Sequence, residues 1–171
     1  VTGASRGVGK GIAEALGAAG MTVYVSGRSL QSGGAQLRGQ VMHGSIHETA
    51  AAIDAAGGKG IAVQCDHSDD VQVRALFARI EAEQGRLDLL VNNVTFIHDQ
   101  LIDPGPFWEK PLDLVNILDV GLRSAYVASY YAAPLLLRAP NALVAFVSSF
   151  GAGCYMHGPA YGAQKAGVDK F

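Results

Sequence analysis

The chain has 171 residues, a length that fits one domain with a substantial core. Hydrophobic residues make up 49% and charged residues 16%, which favours an α/β fold whose central strands are covered on both faces. The net charge of −2 provides no basic field for a polyanion, so we expect no nucleic-acid partner. Two cysteines are too few for a disulfide framework, and no apolar run reaches the roughly 20 residues of a membrane span. We expect a soluble cytoplasmic protein.

Hydrophobic periodicity predicts helices and strands that alternate along the chain. Helical spacing of apolar residues indicates a helix from about Val8 to Ala19, and alternation indicates a strand over 21–26. The glycine-rich stretch 27–45 is expected to be a flexible loop. The rest of the chain is predicted as a helix at 47–56, a strand at 60–64, a helix at 69–84, a strand at 87–91, a loop at 96–111, a helix at 112–138, a strand at 142–148 and a helix at 159–171.

Such βα repeats predict a Rossmann-type, doubly wound parallel sheet in a three-layer α/β/α arrangement. We expect the long helical region to bend at Gly121 and before Pro134. Residues 1–171 are predicted to form a single dinucleotide-binding domain. The chain starts at Val1 without an initiator Met and stops at Phe171 within a predicted helix, so we expect it to be truncated at both ends and to lack a C-terminal substrate-loop region.

A glycine-rich turn joins the first strand end to the first helix. Its sequence is Thr2-Gly3-Ala4-Ser5-Arg6-Gly7-Val8-Gly9. Unpaired N–H groups at a helix start can hold a pyrophosphate if no side chain obstructs it. Gly9-Lys10 also resembles a P-loop, but five residues separate Gly3 from Gly9, and Gly11 follows the lysine where a Ser or Thr is required. We therefore favour a dinucleotide over a nucleoside triphosphate.

The second strand ends at Ser26-Gly27-Arg28, beside the predicted adenosine ribose. An acidic residue here selects NAD, and an arginine accommodates the additional phosphate of NADP. Arg28 is present without a carboxylate, and Arg6 could reach the same phosphate. The pair predicts NADP(H) in preference to NAD(H).

Tyr161 and Lys165 are predicted to lie one helical turn apart on the same face of the last helix. An ammonium group favours the phenolate form of a neighbouring tyrosine, which suits proton exchange with a carbonyl or alcohol oxygen. Ser148 and Ser149 end the preceding strand, where a hydroxyl can polarise the same oxygen. The strand position favours Ser149, whereas the distance from Tyr161 along the chain favours Ser148.

In family order, the motifs TGASRGVG at 2–9, Asp66, VNN at 91–93, VSS at 147–149 and YGAQK at 161–165 resemble those of the short-chain dehydrogenase/reductase family. The resemblance covers essentially the whole chain. The segment from Phe107-Trp108-Glu109 through VGLRSAY at 120–126 to the final motif at 161–165 also looks like the subgroup called dehydrogenase/reductase family member 1. The resemblance implies an NADP(H)-dependent oxidoreductase that interconverts a carbonyl and an alcohol by hydride transfer and needs no metal.

The resemblance implies a role for each matching position. Tyr161 would donate or accept the proton, Lys165 would hold the nicotinamide ribose, and Ser149 would orient the substrate oxygen. Asp66 would meet the adenine, and Asn93 would lie near the nicotinamide ribose. The diphosphate and adenosine-ribose region would be lined by Gly3, Ser5, Arg6 and Val8.

Three positions depart from the family pattern. Val94 and Thr95 stand where alanine and glycine are usual, and Gly121 stands where a helical asparagine usually completes a catalytic tetrad. The site would then work as a triad or use a water in place of the asparagine.

Two alternative hypotheses are that the chain is a dinucleotide-binding regulatory protein without catalysis or an inactive fragment. The partners implied are a small carbonyl or alcohol substrate and further copies of the chain. In this family, copies associate through the helices that correspond to 112–138 and to the one starting at 159.

Overall fold

The computed structural model describes residues 1–171. Five α-helices and six strands make up its regular structure. The strands are β1 (Thr22–Gly27), β2 (Ala35–Leu37), β3 (Gln40–Met42), β4 (Lys59–Gln64), β5 (Leu89–Asn92) and β6 (Leu143–Phe146). The helices are α1 (Gly7–Ala18), α2 (Ile46–Ala55), α3 (Asp70–Gln84), α4 (Ser124–Leu136) and α5 (Pro159–Val168).

The segment 1–4 joins two parallel strand pairs into one layer. β1 pairs with β4, and β5 pairs with β6. The backbone N–H of Thr2 donates to the Val91 carbonyl in β5, and that of Ala4 donates to the Ser26 carbonyl in β1. The order across the layer is therefore β4, β1, the segment 1–4, β5 and β6, which agrees with the predicted Rossmann-type arrangement.

Two apolar clusters lie on opposite faces of this layer. Val23 and Val25 of β1 pack with residues of α1 and α2, whereas Tyr24 between them packs with residues of α3 and α4. Because successive side chains of a strand point to opposite faces, this alternation shows that β1 is covered on both sides. The predicted three-layer α/β/α fold is confirmed. None of the helices combines the length and the apolar character needed to cross a bilayer.

The stretch 27–45 is not simply the loop predicted from its glycines. β2 and β3 form a short antiparallel hairpin with Leu37 opposite Gln40. Arg38 and Gly39 make the turn, with φ values of +53° and +73°. Positive φ at both central residues is the geometry that suits the twist of a two-residue hairpin. Strands of three residues are too short to show a clear alternation, so the sequence pattern gave no strand signal here.

The region 112–138 is less regular than predicted. A short 3₁₀ turn at Leu112–Val115 and a π-helical segment at Leu118–Arg123 precede α4. Gly121, the expected bend, lies within the π-helical segment. Pro134 lies inside α4, which continues to Leu136.

Gly121 allows the last helix to pack closely on the π-helical segment. A Cβ atom at Gly121 would lie 2.8 Å from Cγ and 3.0 Å from Nε2 of Gln164 in α5. The Gln164 side chain is only 2% exposed, and its Nε2 donates to the Gly121 carbonyl at 3.2 Å. The space above residue 121 is thus filled by the side chain of residue 164.

We expect Gly121→Asn to destabilise the fold by about 1–3 kcal/mol, because the new side chain must displace Gln164 from a packed site. Urea unfolding measures this cost. Gly11→Asn is the matched control, since Gly11 is also helical but has open space around it.

The same substitution should cost much less in a Gln164→Ala background, where the competing side chain is absent. If the effects of Gly121→Asn and Gln164→Ala simply add, the two sites do not compete for one space, and this packing account is wrong.

Candidate active site

The carboxyl ends of the strands open onto one groove with a volume of about 1040 Å³. From the segment 1–4 the chain passes to β1 and β4 on one side and then crosses to β5 and β6 on the other. Open parallel sheets bind ligands at such a crossing point. All the predicted cofactor-binding residues except Tyr161 line the groove: Gly3, Ser5, Arg6, Val8, Arg28, Asp66, Asn93 and Lys165. A smaller cavity of about 450 Å³ lies at the amino ends of the strands and contains none of them.

The glycine turn approaches the end of β5 so closely that side chains would not fit. Gly3 has φ +64°, and a Cβ on it would lie 2.8 Å from the Cα of Val94. A Cβ on Gly9 would lie 2.7 Å from the Gly3 carbonyl and 3.0 Å from the side-chain carbon of Asn93. The two glycines therefore keep the turn tight and leave its backbone exposed to the groove.

The first turn of α1 is left without a cap from the protein itself. Arg6 occupies the N-cap position but its side chain accepts no hydrogen bond, and the first turn carries no acidic residue. By contrast, Ser45 caps α2 in a capping box and Asp69 caps α3. The N–H groups that open α1 remain available to an anion, and the helix dipole favours one there.

Arg6 and Arg28 lie on either side of the end of β1. The Arg6 guanidinium donates to the Ser29 hydroxyl at 2.8 Å and to the carbonyls of His43 and Gly44, each at 3.1 Å. Arg28 is mostly exposed, and its Nη1 lies 3.9 Å from an oxygen of Asp66. Because an exposed ion pair of this length is weak, Arg28 can turn toward another anion at little cost.

Asp66 and His67 follow β4 at the same end of the groove. Burial alone would raise the pKa of the Asp66 carboxyl, but hydrogen bonds from Ser68 and the Arg28 charge outweigh burial and lower it. His67 is buried and lies 2.8 Å from the Ser26 hydroxyl. Burial lowers the pKa of His67 to about 4, so at neutral pH the imidazole is uncharged.

The Asn93 amide binds the protein's own glycine turn. Its Nδ2 donates to the carbonyls of Thr2 and Gly3, each at 2.9 Å. Val94, which stands where the family usually has alanine, packs against Gly3, where the missing Cβ leaves room for it. Asn93 thus fixes the turn relative to β5 and also lines the groove.

Just beyond β6, Ser149 lies against Tyr161 of α5. The Ser149 Oγ is 2.9 Å from the Tyr161 hydroxyl oxygen. The hydroxyl of Ser148 is buried and has no hydrogen-bond partner. Of the two serines that the sequence left open, Ser149 is the one that the structure brings to the tyrosine.

Gly151 is a further residue of this site that the sequence analysis missed. Its N–H donates to the Ser149 Oγ at 3.2 Å, in the short 3₁₀ turn Phe150–Ala152. A Cβ at Gly151 would lie 2.8 Å from Cδ1 of the Tyr161 ring and 3.3 Å from the Ser149 Oγ. A glycine is needed for the turn to hold both hydroxyl groups together. The only feature of the sequence that could have pointed to Gly151 is its position two residues after Ser149.

Lys165 lies beneath the tyrosine ring and is held by the end of β6. Its Nζ donates to the Val147 carbonyl at 3.1 Å and lies 5.6 Å from the centre of the Tyr161 ring. Burial lowers the pKa of Lys165, while the nearby Asp169 opposes the shift. An ammonium within about 6 Å of the centre of an aromatic ring is attracted to the ring face.

These features fit a dinucleotide more readily than a metal ion. No group of three or more His, Cys, Asp or Glu side chains is placed to hold a metal. The turn that a Cβ would obstruct, the uncapped start of α1 and the two arginines suit a diphosphate with a further phosphate. The Ser149 and Tyr161 hydroxyl groups do not themselves line the groove, but Lys165 does, and its Nζ lies 5.6 Å from the centre of the Tyr161 ring.

The family model described as short chain dehydrogenase matches residues 1–171. Dehydrogenase/reductase SDR family member 1 of Homo sapiens is 39% identical over 174 residues, which cover 99% of this chain and 51% of that protein. A 3beta-hydroxysteroid dehydrogenase of Mediterraneibacter gnavus is 30% identical over 173 residues, 98% of this chain and 55% of that protein. The chain thus spans about half the length of these curated relatives.

Solved structures give the same result. A metagenomic short-chain oxidoreductase in complex with NADP superimposes with a TM-score of 0.79 at 30% identity, covering 99% of this chain and 70% of that one. A protein of Xanthomonas campestris described as a dehydrogenase gives 0.82 at 31% identity, covering 99% and 61%. The match to the family model over the whole chain, together with these relatives, shows that the chain belongs to the short-chain dehydrogenase/reductase family.

Proposed function

We propose that residues 1–171 form the dinucleotide-binding and catalytic domain of an NADP(H)-dependent oxidoreductase that interconverts a carbonyl and an alcohol. The observation that carries the proposal is the contact between the Ser149 and Tyr161 hydroxyl groups beside the buried Lys165, whose side chain lines a groove suited to a dinucleotide. A regulatory protein that only binds nucleotide has no need for these three side chains together.

The nicotinamide of a bound dinucleotide would supply or accept the hydride. The protein's own contribution is to hold the substrate oxygen and move its proton. Ser149 donates a hydrogen bond to that oxygen, which polarises a carbonyl and orients it. Tyr161 gives its proton to the oxygen during reduction and takes it back during oxidation.

Lys165 makes this proton transfer easier in both directions. Its charge stabilises the phenolate that Tyr161 becomes after giving up its proton. The Val147 carbonyl fixes the ammonium, so little reorganisation is needed as the charge develops. With Gly121 in place of an asparagine, the side chains of Ser149, Tyr161 and Lys165 act as a triad.

The preference for NADP(H) rests on the two arginines at the end of β1. Arg6 is held beside Ser29 by three hydrogen bonds, whereas Arg28 is exposed and only loosely paired with Asp66. We propose that Arg6 provides a fixed positive charge and that Arg28 closes on the additional phosphate. The end of β1 has no carboxylate of the kind that binds the ribose hydroxyls of NAD(H) at this position.

We propose that copies of the chain associate through α4 and α5. Tyr126 and Tyr130 lie on α4 and are 58% and 66% exposed. Phe171, just beyond α5, lies 5.9 Å from Tyr126 between ring centres. An exposed aromatic surface of this kind is typical of the core of a protein interface.

The chemistry is tested by Tyr161→Phe and Ser149→Ala in the protein at its full length. Tyr161→Phe should lower kcat by about 100-fold to 10,000-fold, because it removes the proton donor while keeping the ring. Ser149→Ala should lower kcat by about 100-fold or more. NADPH oxidation is followed by absorbance against a panel of aldehydes and ketones.

Ser148→Ala is the matched control, since its hydroxyl contacts no other polar group, and its activity should stay near that of the original protein. Fluorescence titration should show NADPH bound by all three variants. Full activity of Tyr161→Phe would contradict the mechanism. Binding of NADPH without turnover of any substrate would support a regulatory protein or an inactive fragment instead.

The cofactor preference is tested by Arg28→Ala. We expect NADPH to bind roughly tenfold or more weakly and NADH to bind unchanged, because only NADPH offers the phosphate that the guanidinium meets. The measurement is a pair of fluorescence titrations at one fixed salt concentration. Arg86→Ala, which removes an exposed arginine paired with Asp88 outside the groove, should leave both affinities unchanged. Tighter binding of NADH than of NADPH to the original protein would refute the preference.

A further inference from the structure

The hairpin turn carries an arginine where its backbone geometry favours other residues. Both turn residues, Arg38 and Gly39, have positive φ, which glycine, asparagine and aspartate adopt most readily. Arg38 is one of only two non-glycine residues of the chain with positive φ. A long, charged side chain at this position therefore needs a compensating contact elsewhere in the fold.

That contact is with the loop that follows β5. The Arg38 backbone N–H donates to a carboxylate oxygen of Asp99 at 2.8 Å. Its guanidinium Nη1 donates to the Asp99 carbonyl at 3.2 Å and to a carboxylate oxygen of Asp103 at 2.7 Å. Three hydrogen bonds thus tie the tip of the hairpin to a segment about sixty residues later in the chain.

Both connected segments form walls of the cofactor groove. Gly34–Leu37, Met42 and His43 line it from the hairpin, and Thr95 and Ile97 line it from the loop after β5. The base of the hairpin is held separately, because Arg6 donates to the carbonyls of His43 and Gly44. The groove is consequently bounded by a hairpin that is fixed at its base and attached at its tip to the other wall.

We propose that Arg38, through Asp99 and Asp103, bridges the two walls of the groove and slows the release of bound dinucleotide. This inference rests on the proposed dinucleotide-binding function. The bridging side chains are partly exposed, with 46% of the Arg38 side chain and 36% of the Asp103 side chain accessible. A link of this strength opens readily enough for exchange of the cofactor and weakens as salt increases.

The test is the dissociation rate of NADPH, measured by stopped-flow fluorescence when bound NADPH is chased with excess NADP⁺. Arg38→Asn keeps a residue that suits positive φ, so the turn is retained while the guanidinium contacts are lost. Its dissociation rate should rise about threefold to tenfold, and Arg38→Gly should give a similar rise. Arg138→Asn, the matched control, removes an equally short exposed pair with Glu81 outside the groove and should leave the rate unchanged.

Exchanging the charges of residues 38 and 103 tests whether their pairing is what slows the release of NADPH. Arg38→Asp places a carboxylate next to Asp99 and Asp103 and should release NADPH faster than Arg38→Asn does. Adding Asp103→Arg to that variant recreates the opposite pair and should slow release again. As salt rises, the dissociation rates of the original protein and of Arg38→Asn should converge.

Equal dissociation rates for the original protein and for both Arg38→Asn and Arg38→Gly would overturn the bridge while leaving the proposed function intact. Failure of the original protein to bind NADPH at all would overturn the proposed function, and the bridge with it. A double variant that releases NADPH as fast as Arg38→Asp would show that the pairing of charges is not the cause.

Discussion

The close approach of the glycine turn to the end of β5 is the constraint on which the rest of the site depends. Gly3 and Gly9 admit the backbone and side chain of residues 93–94 at distances that no Cβ would allow. The Thr2 and Asn93 groups then link the segment 1–4 to β5, with hydrogen bonds of 2.9–3.0 Å from Asn93. This link connects the two strand pairs, so the same glycines that expose the backbone to an anion also hold the sheet together.

The candidate site is placed jointly by the end of β6 and by α5. Ser149 follows β6, and Lys165 is fixed by the Val147 carbonyl of the same chain segment. Tyr161 and Lys165 both lie on α5, and Gly151 leaves room for the Tyr161 ring beside Ser149. Gln164, also on α5, is buried in the space left by the missing side chain at Gly121 and donates a hydrogen bond to the Gly121 carbonyl. This contact helps to fix the position of α5.

Sequence alone predicted the parts of the fold and site that depend on local chemistry. The central strands and four of the five helices follow from periodicity, but the helix predicted over 112–138 is a regular α-helix only from Ser124 to Leu136. Residue types suited to anions and proton transfer pointed to the arginines, Tyr161 and Lys165, whereas Asp66, Asn93 and the other groove positions were expected from the family resemblance. The choice between Ser148 and Ser149 could not be made from the sequence, since it depends on how a 3₁₀ turn meets Tyr161. The hairpin in 27–45 was also missed, because contacts with distant aspartates stabilise its turn and neighbouring residues give little sign of it.

The two ends of the groove are stabilised by different kinds of interaction. Near α5 the contacts are hydrogen bonds of 2.9–3.1 Å around a buried lysine, which salt screens little. Near the end of β1 and at the hairpin tip, Arg28 and Arg38 form exposed pairs with carboxylates, whose attraction is weak and screened by ions. Geometry at the reacting atoms requires accuracy of a fraction of an ångström, whereas a cofactor must enter and leave in each cycle. Under the proposed function, a structure that is rigid around Tyr161 and easily opened around Arg28 and Arg38 would meet both requirements.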